Sequence, residues 1–140
     1  DGMTLEGMYS LDDFGCMVSS AGDFNGDGLK DVIIGAYGAN ARRGGAYVIM
    51  GSRQNPSELS MSITNTATTR GFNLMSSQFS QLGMAASGGR DLNGDGISDI
   101  IIGAPAWNKE NGAVYVIYGS RATSSSFTPN FWLDNALQPS

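Results

Sequence analysis

Asp23-Phe24-Asn25-Gly26-Asp27-Gly28-Leu29-Lys30-Asp31-Val32-Ile33-Ile34-Gly35-Ala36 returns later in the chain as Asp91-Leu92-Asn93-Gly94-Asp95-Gly96-Ile97-Ser98-Asp99-Ile100-Ile101-Ile102-Gly103-Ala104. The two copies stand 68 residues apart (91 − 23 and 99 − 31). A third block keeps the same offset: Tyr47-Val48-Ile49-Met50-Gly51-Ser52-Arg53 matches Tyr115-Val116-Ile117-Tyr118-Gly119-Ser120-Arg121. Three blocks in one register identify an internal repeat, and a repeat decides the fold before any single element does.

Each repeat reads as four short strands. The first copy places them at 14–21, 32–36, 46–50 and near 59–63, the second at 82–87, 100–104, 113–118 and 131–133. Runs of four to eight residues rich in Val, Ile and Tyr, broken by Gly and Asn-Gly, carry the strand signal. They are too short and too closely flanked by glycine for helices. The 20 glycines follow no collagen period, so they mark turns between many strands. The expected fold class is all-β, with two four-stranded antiparallel β-propeller blades, one to residues 1–69 and one to 70–140. Gly71-Phe72-Asn73-Leu74 is read as part of the seam between repeats. Joining the chain's end to its beginning reproduces that seam, so the repeats are cut in phase.

The repeated loops carry the chemistry. Asp23, Asn25 and Asp27 alternate, as do Asp91, Asn93 and Asp95, so their oxygens can converge on one cation as the loop curls. Gly28 and Gly96 stand where the turn is sharpest. The backbone carbonyls of Leu29 and Ile97 and the carboxylates of Asp31 and Asp99 complete each expected shell. Hard oxygen donors with three carboxylates select Ca²⁺, giving two expected Ca²⁺ sites. An EF-hand is excluded, because its twelfth position is Glu and helices flank it. Here that position is Ile34 or Ile102, inside a strand run.

The remaining composition narrows the function. Net charge is −5, and two Ca²⁺ ions would bring it to −1. No basic stripe exists to meet phosphates, which argues against nucleic acid. No apolar run reaches the ~20 residues of a membrane-spanning helix, so direct membrane insertion is not expected. The chain has no histidine and no Gly-x-Ser-x-Gly, hence no recognisable nucleophile–base pair, and is not expected to be an enzyme. Cys16, the only cysteine, is read as a buried inert thiol, and Met17, Met50 and Met84 as core filling. The loops 37–44 and 105–112, the second containing Trp107, are candidate contact surfaces. Trp107 suits either an interface anchor or internal packing.

These features resemble the FG-GAP repeat of integrin α-chain propellers and their bacterial and protist relatives. Phe14-Gly15 corresponds to the "FG" element, Gly35-Ala36-Tyr37 and Gly103-Ala104-Pro105 to "GAP", and the two Asp/Asn loops to the calcium motif. Leu82-Gly83 replaces "FG" in the second copy, and Tyr37 replaces the proline of "GAP" in the first. The resemblance implies an extracellular or cell-surface, calcium-binding adhesion or structural module. Integrin propellers have seven blades, so two blades form an incomplete propeller with faces and edges uncovered. Its expected partners are other copies of itself, head to tail in a ring or filament, or other extracellular proteins. The alternative is a fragment of a larger surface protein whose propeller binds ligand or carbohydrate, or an accessory domain of an enzyme whose chemistry lies elsewhere.

Overall fold

Two small sheets laid face to face make up the molecule, seen in a computed structural model that describes residues 4–7, 9–53, 71–121 and 131–133. The first sheet runs β1 (Met17–Gly22), β2 (Asp31–Ala36), β3 (Gly45–Ile49) and β4 (Gly71–Met75), each antiparallel to the next. The second runs β5 (Ala85–Arg90), β6 (Asp99–Ala104) and β7 (Ala113–Ile117), also antiparallel. A two-residue strand, β8 (Phe131–Trp132), lies parallel to β4 at the edge of the first sheet. This is the expected all-β architecture of incomplete propeller blades.

Strand phase differs from the sequence reading in two places. The segment read as a seam, Gly71–Met75, is the fourth strand of the first sheet, with Ala46 opposite Leu74 and Val48 opposite Phe72. Residues 131–133, read as the fourth strand of the second sheet, instead put β8 beside β4, and the second sheet has three strands among the described residues. The expected strand near 59–63 lies outside the described residues, as do the chain ends.

Alternation decides which side chains meet. Ile33, Ala46 and Val48 point from the first sheet toward the second, and Ile100, Ile102 and Tyr115 point back, all buried in one core with Leu74, Leu82 and Phe72. Each fully buried aliphatic side chain contributes about 1.5–3 kcal/mol. Phe24, in the first acidic loop, reaches this core and stacks 5.7 Å from Phe72. The other face of the first sheet holds a smaller cluster, Ile34 and Ile49 with Leu5, Phe14 and Tyr47.

Glycine lets the sheets approach. A methyl group at Gly35 would strike the carbonyl of Gly83, and one on Gly83 would strike that of Gly45. Gly83 also has φ +85°, a conformation that side chains disfavour.

Cys16 is exposed rather than buried, because it precedes β1 in a turn at the rim of the core. Met17 and Met50 do pack in or against the core, whereas Met84 is exposed on the outer face of the second sheet. The two loops expected to make contacts each wind into a four-residue helical turn, α1 (Ala39–Arg42) and α2 (Trp107–Glu110). Asn40, Ala41 and Arg42, and again Asn108, Lys109 and Glu110, have positive φ. Trp107 is half-buried and meets Tyr115 edge to face at 6.4 Å, so it packs internally.

Gly83→Ala and Gly15→Ala separate conformational strain from sheet packing. Both glycines have φ +85°, but no atom lies within 4 Å of a methyl added at Gly15. Dilute denaturant titration should show Gly15→Ala costing about 1–2 kcal/mol. Gly83→Ala should cost clearly more, and equal losses would refute the close-approach account.

Candidate metal centre

Both acidic loops join neighbouring antiparallel strands, the first β1 to β2 and the second β5 to β6. A register shift between Ser20 and Gly22, matched by one between Gly88 and Arg90, ends each preceding strand in a bulge and turns the chain into the loop.

The loops then fold alike, with one bond more in the second. Asp23 accepts the amide N–H of Asp27 on one oxygen and of Gly28 on the other, both at 2.9 Å. Asp91 accepts those of Asp95 at 3.1 Å and Gly96 at 2.8 Å, and that of Gly94 at 2.6 Å. The Asn25 side-chain amide donates to Asp27 at 2.9 Å, and that of Asn93 to Asp95 at the same distance. Asp27 and Asp95 accept the amides of Leu29 and Ile97 at 2.8 and 2.9 Å. Short polar side chains that bond the backbone two residues on are the usual means of holding such turns.

The ninth loop position has a distinct role. Asp31 is buried and spans two segments: one oxygen accepts Phe24 N–H and the other Gly51 N–H, each at 2.8 Å. Asp99 does the same with Leu92 at 2.7 Å and Gly119 at 2.9 Å. Each carboxylate ties its loop to the segment leaving the third strand. Gly51 and Gly119 are the partners that sequence reasoning missed. Their signal was present, since both fall in the repeated block 47–53 and 115–121.

Electrostatics treats the ninth position of the first loop and the first position of the second differently. Burial pushes the Asp31 carboxyl above its ordinary value of 3.8; the amides of Gly51 and Phe24 oppose this, and the charges of Asp27 and Asp23 add to it. Asp91 lies below 3.8, held there chiefly by the Gly96 amide and further by those of Gly94 and Asp95. The consequences for stability have opposite signs. Folded Asp31 holds its proton longer than the unfolded chain does, so its contribution falls as pH rises from 3.8 through its raised value. The Asp91 contribution is present above 3.8 and is lost as pH falls through its lowered value.

Of the ten expected ligand positions, Asp23, Asn25, Asp27 and Leu29, and Asp91, Asn93, Asp95 and Ile97, fall in the two equivalent loops, while Asp31 and Asp99 open the strands that follow. Chemically the donors suit a hard cation, because a carboxylate oxygen that accepts one N–H keeps a second lone pair. Their spacing is wider than an ion's shell: among the described residues no three acidic, histidine or cysteine side chains stand close enough to share a metal.

Similarity to known proteins agrees with this architecture. The FG-GAP repeat family profile matches residues 18–49 and 82–117, which contain both loops. Integrin alpha pat-2 of Caenorhabditis elegans is 38% identical over 102 residues, 72% of this chain and 8% of that protein. Integrin alpha-5 of Xenopus laevis is 31% identical over 139 residues, 93% of this chain and 12% of the relative. Phosphatidylinositol-glycan-specific phospholipase D of Mus musculus is 30% identical over 121 residues, 81% and 14% respectively. The chain therefore spans only a small part of each of these relatives.

Asn at position 31 would test the tie. Its side chain can accept only one of the two N–H groups and sets its own amide against the other. Leaving a buried donor unsatisfied costs about 1–3 kcal/mol. The Asp31→Asn melting temperature should drop by several degrees, given about 2–4 °C per kcal/mol for a chain this size. Circular dichroism melts that superimpose on the parent's would refute the role.

Proposed function

The chain belongs to the FG-GAP repeat family, and from that membership we propose that it serves as an extracellular, Ca²⁺-stabilised adhesion or structural module rather than an enzyme. One observation carries the calcium reading: two loops 68 residues apart present the same oxygen donors in the same hydrogen-bonded arrangement. Each loop gathers three carboxylates whose mutual repulsion a divalent ion would relieve. The metal's task here is to hold a strand-to-strand turn. Millimolar Ca²⁺ outside cells would fill even weak sites of this kind, which favours an extracellular address.

The sequence repeats 1–69 and 70–140 are offset by one strand from the sheets they build, since β4 completes the first sheet from the start of the second repeat. Partners are then proteins, reached through sheet faces and loops: other copies of this chain or other extracellular proteins. The small share of each relative that is spanned also supports a place within a larger surface protein.

Calcium titration by calorimetry, with melting curves in calcium and in excess chelator, tests this reading. Two ions should bind per chain. At 100 times the dissociation constant each should add about 2.7 kcal/mol of stability. The Asp23→Asn and Asp91→Asn variants should each lose one site. A melt indifferent to chelator, with no heat of binding, would eliminate the calcium role.

A further inference from the structure

We propose that the two acidic loops form one coupled unit in which Ser98, the eighth residue of the second loop, positions Asp23, the first residue of the first, so that loosening either loop loosens the other. The proposal deepens the module reading and rests on it only where a cation is concerned.

Ser98 grips Asp23 from both sides. The Ser98 hydroxyl accepts the Asp23 amide N–H at 3.2 Å, and the Ser98 amide donates to the Asp23 carbonyl at 3.1 Å. With its main chain held on both sides, Asp23 presents its carboxylate to the amides of Asp27 and Gly28, which close the first loop. Ser98 is fixed in turn by its own loop. It stands between Ile97, whose amide donates to Asp95, and Asp99, whose carboxylate accepts the amides of Leu92 and Gly119.

A second route joins the two buried carboxylates. Asp31 accepts the Phe24 amide, the Phe24 carbonyl accepts the Ser120 amide at 3.1 Å, and the adjoining Gly119 amide reaches Asp99. Each step is a hydrogen bond or the backbone of neighbouring residues. The loop entries also lie back to back. A methyl group on Gly22 would strike Ser98 and the backbone of Gly89, and one on Gly119 would strike the carbonyls of Ser98 and Phe24. Contacts packed this closely pass a displacement on rather than absorb it.

The sign of the coupling follows from ordering. Once the second loop is ordered, Ser98 is fixed, and Asp23 has less freedom left to lose when the first loop orders. A cost shared in this way gives positive coupling, and coupling between two sites is reciprocal. A cation held by the second loop would therefore raise the affinity of the first loop, and the reverse.

A cycle of Asp91→Asn and Ser98→Ala, read by amide hydrogen exchange on the intact chain in excess chelator, tests the coupling. Asp91→Asn disturbs the second loop, because the bonds of the Asp91 carboxylate run to Gly94, Asp95 and Gly96. Exchange at the Asp27 and Gly28 amides of the first loop should nevertheless quicken about fivefold or more. Ser98→Ala alone should speed the same two amides by a similar factor, through its lost hydrogen bond. Adding Asp91→Asn to Ser98→Ala should change them no further. Core-strand amides such as those of Ile33 and Ile102 should keep the parental rate in all four proteins, which separates a local grip from a general loss of stability. First-loop amides that ignore Asp91→Asn, or that respond to it equally with and without Ser98, overturn the proposal. Calcium titration of the same four proteins reads the cation arm. Asp91→Asn should weaken binding by the first loop about fivefold or more when Ser98 is present and leave it unchanged in Ser98→Ala; tighter first-loop binding in Asp91→Asn would overturn the positive sign. If none of the four binds calcium, the calcium reading fails, while the exchange cycle still decides the coupling.

Discussion

A β-sheet whose two faces are both apolar must find something to cover each. That constraint organises this molecule. The inward faces of the two sheets cover one another, and glycine is what makes the contact close enough. Gly35, Gly44, Gly45 and Gly83 line the approach where backbone meets backbone. Dispersion and burial fall off steeply with any gap, so even one methyl group there would lose contacts across the joint. Close burial of the core residues Ile33, Val48, Ile100 and Ile102 goes with the missing side chains at Gly35, Gly44 and Gly83, where a methyl would strike across the joint.

The acidic loops fasten to that core through their ninth residues. Asp31 and Asp99 are buried carboxylates that would be costly if unpartnered. Each instead spends both oxygens on backbone amides from two different segments. The earlier loop acids, Asp23, Asp27, Asp91 and Asp95, stay near solvent and bond within the loop. The same motif therefore divides its carboxylates between a structural tie and an exposed oxygen-rich rim. Removing charge at the rim and removing it at the tie are different perturbations, although the sequence writes all of them as Asp.

The repeat, the strand runs and the strand-joining loops were legible because each rests on local pattern: an offset of 68, alternation, and glycine at sharp turns. Strand phase was not. Gly71-Phe72-Asn73-Leu74 looks like a junction when only order along the chain is known, and becomes a strand because Phe72 and Leu74 find Val48 and Ala46 opposite them. The left-handed turns were hidden as well. Asn-Ala-Arg and Asn-Lys-Glu contain no glycine, so nothing local demands the positive φ found at Asn40, Ala41 and Arg42 and again at Asn108, Lys109 and Glu110. Cys16 was misjudged because free cysteine is usually buried, whereas this one lies just beyond the strand that enters the core. In the candidate site the acidic loops themselves were legible as repeated strand-joining turns, but the amide partners Gly51 and Gly119 depend on a segment twenty residues away.

Equivalent sequence does not make equivalent surroundings. The first loop is sandwiched: the Asp23 and Phe24 carbonyls accept the amides of Ser98 and Ser120 at 3.1 Å, the Arg121 side chain crosses Gly26, and Asn25 is buried. The second loop has the same internal bonds, yet Leu92 and Asn93 are exposed. The difference comes from the neighbouring sheet, which covers one loop and not the other. In a repeat protein each unit is completed by the next. Here it supplies cover for one sheet face, partners for a strained turn, and a drier setting for an acidic loop.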